Sequence, residues 1–109
     1  MEFALFYLTF PSQQAAKKVG KLLLEEGLVA CVNIITGVSS MYIWEGEFFD
    51  ESEFILIGKS KKNLFEKIEK LVKKEHSYDC PCVLMLEINR GNDEFLSFIE
   101  SNINNESTN

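Results

Sequence analysis

One histidine and three cysteines are the side chains in this sequence best suited to chemistry: His76, Cys31, Cys80 and Cys82. Imidazole and thiolate groups bind copper and zinc, so Cys31 and His76 are candidate metal ligands. The same two residues could form a Cys–His nucleophile pair, although no third residue that would orient the histidine is recognisable. The simpler interpretations are a cysteine that packs as a small apolar residue and a histidine that stabilises a helix C-terminus.

The other two cysteines are separated by a single proline. Cys80-Pro81-Cys82 does not have the Cys-x-x-Cys spacing of zinc ribbons or thioredoxin-like sites. In an extended segment both side chains could face the same way, but two close cysteines without a second pair are a weak metal signal. The odd total of three cysteines favours free thiols in a reducing compartment and predicts a cytoplasmic location.

A group of carboxylates lies around one turn signal, at Glu45, Glu47, Asp50, Glu51 and Glu53. Carboxylates bind hard cations, and Glu45 is a possible metal ligand. The spacing fits no EF-hand loop, however, because the repeated Asp-x-Asp pattern followed by glycine is absent. A solvated turn whose charges protect the sheet edges is the favoured interpretation.

Charge excludes several function classes. The chain has 109 residues and a formal net charge of −6, and Arg90 is its only arginine, which argues against a nucleic-acid partner. No apolar run approaches the ~20 residues of a membrane helix, so direct membrane insertion is not expected. Neither a glycine-rich phosphate loop nor a Gly-x-Ser-x-Gly elbow is present. Mechanisms that depend on these two motifs can therefore be set aside.

The elements that position these residues follow from hydrophobic periodicity and turn signals. In chain order they are a strand over 3–10, a helix between Ser12 and Gly27, two hairpin strands over 28–45 and 47–60, a helix over 61–75, a strand over 82–88 and a short helix after Asn92. This order predicts an α+β fold: a ferredoxin-like βαββαβ sandwich with an antiparallel sheet and an extra C-terminal helix. Residues 1–103 are predicted to form one domain, and 104–109 a polar tail.

The predicted hairpin is too long for a monomer of this size. Residues 30–45 would span about 50 Å if extended, whereas a compact domain of this length is roughly 35 Å across. The hairpin should therefore project beyond its own core or bend at Gly37. Since a projecting ribbon that carries Met41, Tyr42 and Trp44 would expose apolar side chains, a homo-oligomer is expected.

Four motifs in register resemble one known family. They are Ala30-Cys31-Val32-Asn33-Ile34-Ile35 with Gly37-Val38, Tyr42-x-Trp44-Glu45-Gly46, His76-x-Tyr78-Asp79-x-Pro81 and Arg90-Gly91-Asn92. Together they resemble the CutA divalent-cation tolerance family over residues 3–100. Each motif alone is weakly specific, but four in order, with the expected elements between them, form a specific match.

The resemblance implies a ferredoxin-like subunit in a tight homotrimer that is joined through its sheets and is similar to PII signalling proteins. It implies a non-catalytic role in the response to metal ions, with copper or another divalent metal bound. The resemblance thus predicts no catalytic residues, no enzymatic activity and no organic cofactor. By resemblance, Cys31 and His76 become the leading metal ligands. The residues that match an intersubunit cleft are Tyr42, Trp44, Lys59, Tyr78 and Pro81.

This chain departs from the family pattern at several positions. Ser77 and Thr36 stand where the family usually has proline, and Phe95 and Phe98 replace a tyrosine and a tryptophan of the last helix. Cys80 and Cys82 are not family positions, so any role they have is particular to this chain. Two alternative functions stay open: a PII-like regulatory module that binds a small metabolite, with Lys59 and Arg90 for an anionic one, and a non-catalytic scaffold that anchors a protein partner.

Overall fold

A computed structural model describes residues 2–103, so the predicted polar tail at 104–109 lies outside the described residues. The elements, in chain order, are β1 (Phe3–Phe10), α1 (Gln13–Glu25), β2 (Cys31–Trp44), β3 (Glu47–Lys61), α2 (Phe65–Glu75), β4 (Val83–Glu87) and α3 (Asp93–Ser101), with a 3-10 turn at Lys62–Leu64 before α2. Every predicted helix and strand is present, with ends shifted by a few residues.

The four strands form one antiparallel sheet in the order β2-β3-β1-β4. Along β1, Ala4, Phe6, Leu8 and Phe10 are buried, and the residues between them are half-buried. The buried set packs with apolar residues of α1 and α2 in one core. Because alternate residues of a strand point to opposite faces, both long helices cover the same face. The predicted α+β ferredoxin-like arrangement is confirmed.

The first helix begins and ends where the sequence predicts. The Ser12 hydroxyl accepts a hydrogen bond from the Ala15 backbone N–H at 3.1 Å. Gly27 takes a φ of +70° just after the last turn, a conformation that favours glycine. The face of this helix that packs in the core carries the buried residues Ala16, Val19 and Leu23. Among residues 2–103, no helix is long and apolar enough to cross a membrane.

The side of the sheet turned away from α1 and α2, termed the open face, is also apolar. Leu5 pairs with Leu86, and Tyr7 pairs with both Leu84 and Ile57, so all five side chains share this face. Leu84 and Leu86 are 56% and 54% exposed. An apolar face of this kind is typical of a surface that another chain covers.

The last helix packs where the open face reaches the end of β3. Lys61 pairs with Glu100 at 2.8 Å, and the ammonium of Lys59 lies over the ring of Phe95. The hydrogen bond to Glu100 is the main cause of the raised pKa of Lys61. Asn92 occupies the predicted N-cap position, but its side chain makes no capping hydrogen bond. The helix therefore closes one end of the open face through a half-buried ion pair.

The hairpin of β2 and β3 is the most extended part of the molecule. Its turn, Glu45-Gly46, has φ values of +52° and +83°, the combination of a type I′ turn. Side chains over 41–48 are all exposed, and the molecule measures 44 × 27 × 23 Å. The prediction that the hairpin projects beyond the core is confirmed.

A β-bulge interrupts β2 in the middle of the hairpin. Ile35 pairs with Ile55 and Val38 pairs with Glu53, so β2 has one residue more than β3 over this interval. Gly37, inside the bulge, has a φ of +73°. The sequence offered a bend at Gly37 as the alternative to a projecting hairpin, and the structure has a β-bulge at this point. Because of the extra residue, even-numbered side chains of β2 beyond the bulge share the face that odd-numbered ones occupy before it.

Candidate functional site

A cavity of about 350 Å³ opens where the end of β1, the hairpin and the connection between α2 and β4 meet. Its lining combines aromatic rings, carboxylates and thiols from these three segments: Thr9, Tyr42, Trp44, Phe49, Glu53, Tyr78, Asp79, Cys80 and Cys82. Of the described residues that line it, none is lysine, arginine or histidine. The cavity can therefore attract cationic rather than anionic groups.

The bulge in β2 brings the aromatic side chains of the hairpin into this cavity. Beyond the bulge, Tyr42 and Trp44 lie on the cavity side, and Met41 and Ile43 point the other way. Tyr42 pairs with Phe49 across the hairpin, and the two rings stack with centroids 5.2 Å apart. One wall of the cavity is thus a stacked aromatic surface on a rigid ribbon.

Two tyrosines that line the cavity each donate a hydrogen bond to a carboxylate of the hairpin. The Tyr42 hydroxyl donates to Glu51 at 2.8 Å, and the Tyr78 hydroxyl donates to Glu53 at 2.7 Å. Burial raises the pKa of Tyr78, and the Glu53 carboxylate raises it further. For the exposed Tyr42, the hydrogen bond to Glu51 is the main cause of its raised pKa. Both phenols therefore stay protonated and act as donors.

His76 follows α2 and is held by three contacts. Its ring stacks on Phe10, with centroids 4.7 Å apart. Its Nε2 atom lies 2.6 Å from the carbonyl oxygen of Thr9, and its Nδ1 atom accepts the backbone N–H of Tyr78 at 3.1 Å. This pattern fits the tautomer that carries hydrogen on Nε2. Since both ring nitrogens are engaged, metal binding by His76 would have to break one of these hydrogen bonds.

Cys31 lies half-buried on the open face, at a distance from His76. It pairs with Lys59, which in turn pairs with Leu5 of β1. His76 contacts Thr9, four residues further along β1 and two strands away from β2. Strand rise and strand spacing then place Cys31 and His76 roughly 16 Å apart. A single chain brings them together neither as a ligand pair nor as a nucleophile pair.

Three of the residues predicted to line a cleft share this cavity: Tyr42, Trp44 and Tyr78. Lys59 and Pro81 are not in its lining, and Lys59 donates to Asn33 instead. Glu45 lies at the exposed tip of the hairpin. Within residues 2–103, no three His, Cys, Asp or Glu side chains are placed together for a metal ion.

Sequence reasoning missed two residues that line the cavity, Glu53 and Phe49. Glu53 is predicted to be solvated with the other acidic residues of the hairpin, yet it is only 7% exposed. The sequence does contain a signal for this burial. Glu53 lies two residues before Ile55 and four before Ile57, and the alternation of side chains along a strand places all three on one face. Phe49 shows no such signal, because its side is set by the turn and the cross-strand pairing.

The thiol of Cys82 is the more enclosed of the two cavity thiols. Cys82 is half-buried, with its sulfur 3.9 Å from the carbonyl oxygen of Tyr7, whereas Cys80 is exposed. Burial, followed by the nearby Glu53 carboxylate, raises the pKa of Cys82. A thiol in this environment is a poor nucleophile at neutral pH.

These features define the class as a ferredoxin-like α+β subunit with a long, bulged hairpin and a cavity at its base. The family described as CutA1 divalent ion tolerance protein matches residues 4–102 of the chain. The chain therefore belongs to the CutA divalent-cation tolerance family, and the resemblance inferred from its motifs is confirmed.

Individual relatives agree with this assignment. The divalent-cation tolerance protein CutA of Thermus thermophilus is 39% identical over 95 residues, which cover 87% of this chain and 92% of that protein. The chloroplastic protein CutA of Arabidopsis thaliana is 38% identical to this chain in the matched part. The match covers 91% of this chain but only 54% of that relative. The crystal structure of CutA1 from Oryza sativa matches with a TM-score of 0.92 at 34% identity and covers 95% of each chain.

Proposed function

We propose that this chain is a homotrimeric divalent-cation tolerance protein that binds copper or another metal ion in the cellular response to metals. The observation that carries the proposal is the apolar open face on a chain of this family. We propose a binding role rather than a catalytic one, and a single domain over 1–103. A reducing compartment such as the cytoplasm suits the three cysteines, none of which is in a disulfide.

The open face supports assembly through the sheets. Ile35, Leu84 and Leu86 are each 44% or more exposed on it, and covering such a leucine contributes about 1 kcal/mol or more. The strands at the two edges of the sheet, β2 and β4, are available for pairing. A contact between unlike edges of neighbouring copies closes into a ring when the rotation between copies allows it. Three copies joined in this way would also cover the exposed outer half of the hairpin.

The separation of the two predicted ligands favours a metal site between subunits. Cys31 lies on the open face, which an adjacent copy would cover, and His76 lies at the far end of β1 roughly 16 Å away. A thiolate from one copy would therefore be completed by donors from the next. This arrangement agrees with the finding that, within residues 2–103 of a single chain, no three donor side chains are placed together for a metal.

Light scattering during size-exclusion chromatography tests the assembly. We expect a mass about three times the 12.5 kDa of one chain. Leu84→Asp, which places a charge on the open face, should lower the mass towards that of a single chain. Leu24→Asp is the matched control, because Leu24 is a comparably exposed leucine on α1, at 42%. A wild-type mass of one chain would contradict the proposal.

Calorimetric titration of Zn(II) and Cu(I) into reduced, metal-free protein tests the metal site. We expect saturation at a simple ratio per trimer, with weaker binding in Cys31→Ser or His76→Ala. Glu45→Gln examines the remaining possible ligand. Flat heats, or a Zn(II) isotherm that both the Cys31 and His76 substitutions leave unchanged, would count against this site.

A PII-like module that binds a small molecule is the second candidate, because Tyr42, Trp44 and Tyr78 share one cavity. The sequence favoured an anionic ligand through Lys59 and Arg90, whereas the cavity lining contains the carboxylates of Glu53 and Asp79. We therefore propose a cationic or neutral ligand for this function. Thermal-shift measurements across a metabolite panel test it, since a ligand that binds only the folded state raises the melting temperature. A panel that produces no shift would argue against it.

A further inference from the structure

The segment Cys80-Pro81-Cys82 places two thiols in the lining of the same cavity. These cysteines lie outside the residues that carry the family resemblance. They also lie on the connection that follows His76, away from Cys31 on the open face. They therefore form a separate group of potential metal ligands, which the proposed function does not use.

Chain geometry makes a relaxed disulfide between Cys80 and Cys82 unfavourable. Proline after Cys80 restricts Cys80 to extended conformations. Two residues of extended or polyproline chain separate the Cα atoms by about 6–7 Å. Disulfides most often join Cα atoms about 5.5–6 Å apart and seldom exceed about 6.8 Å, so this separation lies at the limit of that range. Two sulfurs that bind one metal ion at about 2.3 Å each can instead lie up to about 4.6 Å from one another.

The charge of the cavity favours a cation between these sulfurs. Glu53 and Asp79 belong to the same lining as the two thiols, and none of the described lining residues is basic. Glu53 also receives the Tyr78 hydroxyl at 2.7 Å, which occupies one of its oxygens. The carboxylates would thus attract a cation into the cavity, and the thiols would supply its bonds.

We propose that Cys80 and Cys82 form a two-sulfur site for a soft monovalent cation, Cu(I), independent of Cys31 and His76. The two S–H bonds release their protons to solvent, two Cu–S bonds form, and no electron is transferred. Thiolates select Cu(I) among the common ions. Zinc would need four ligands, and the described residues 2–103 place no third His, Cys, Asp or Glu donor for a metal ion.

The test is an anaerobic competition titration of Cu(I) against a chromogenic copper chelator, with the ultraviolet thiolate-to-copper absorption as a second readout. We expect the wild type to bind one Cu(I) per chain at this site. The double variant Cys80→Ser/Cys82→Ser should weaken binding by at least roughly 100-fold, because losing a residue that merely supports a ligand already costs about 10–100-fold. Circular dichroism checks that this variant is folded.

Cys31→Ser is the matched control, since it removes one thiol elsewhere in the same chain. It should keep the tight Cu(I) site and its thiolate absorption, as should His76→Ala. If the double variant keeps tight binding, or if Cys31→Ser alone abolishes it, the Cys80–Cys82 site is refuted. The proposed intersubunit metal site stands or falls separately, on the effects of Cys31→Ser and His76→Ala in the calorimetric titration.

Discussion

The two faces of the sheet are built from similar residues and have opposite surroundings. On β1, Phe6 and Leu8 face the helices and are fully buried. Leu5 and Tyr7, their neighbours in sequence, face the open side and are only half-buried. The first face is covered by the chain's own helices, and much of the second stays exposed. A strand that is apolar on both sides, in a fold with one helical layer, thus supports the proposed assembly, in which an adjacent copy supplies the second layer.

The largest contrast between the faces is expected from Phe6→Ala. This ring is fully buried in the core, so its removal should lower the free energy of unfolding by about 3–5 kcal/mol. Urea unfolding followed by circular dichroism measures the change. Leu24→Ala, at an exposed position, is the control and should change stability by less than about 0.5 kcal/mol. A small loss for Phe6→Ala would mean that the helix side is not the main source of stability.

The next largest effect is expected at the base of the hairpin, from Tyr78→Phe. This substitution removes the donor that contacts the buried Glu53 carboxylate. Hydrogen bonds to charged groups contribute about 1.5–3 kcal/mol, and the unfolding free energy should fall by that amount. The same urea experiment reports it. An unchanged stability would show that water replaces the lost donor and that the cavity is wet.

Alkaline pH should weaken the ion pair by which α3 packs against the end of β3. The pKa of Lys61 is raised in the folded chain, mainly by its hydrogen bond to Glu100. Because the pKa of Lys61 is higher in the folded state, its ion pair contributes its full stability below the usual lysine pKa of about 10.4. That contribution is lost as pH rises above this value. Lys61→Met should remove about 1 kcal/mol at neutral pH and flatten the decline above about pH 10. Equal alkaline slopes for the variant and the wild type would contradict this assignment.

The smallest effect is expected from Tyr42→Phe. Its hydrogen bond to Glu51 has nearly the same length as that of Tyr78, but both partners are exposed. Water can replace an exposed partner, so this substitution should change the free energy of unfolding the least of the four. Comparing the two tyrosine variants isolates the contribution of burial from that of the hydrogen bond. Equal losses would remove the distinction between the two sides of the cavity.

The fold was predictable because its signals are local. Ser12 and Gly27 mark the ends of a helix, and the Glu45-Gly46 turn fixes a hairpin, all through backbone preferences that neighbouring residues determine. The cavity was only partly predictable. The resemblance placed Tyr42, Trp44 and Tyr78 in an intersubunit cleft, and these three residues line one cavity of a single chain. Glu53 lines it too, through the pairing of distant strands.

The separation of Cys31 from His76 was equally hidden in the sequence. Both residues lie in motifs of one family, which gives no information about distance within one chain. Only the register, in which Cys31 pairs with Lys59 and His76 contacts Thr9, places them at opposite ends of the sheet. The proposed metal site would therefore have to bring the two residues together from different copies of the chain.

The bulge near Gly37 has a genetic consequence. Deleting one codon between Ile35 and Val38 would remove the extra residue and make the pairing continuous. Tyr42 would still pair with Phe49 and share its face, because β3 alternates without interruption through this region. The loss of one codon at this point is therefore compatible with the cavity, whereas the loss of both would leave β2 one residue shorter than β3 between the same two pairs.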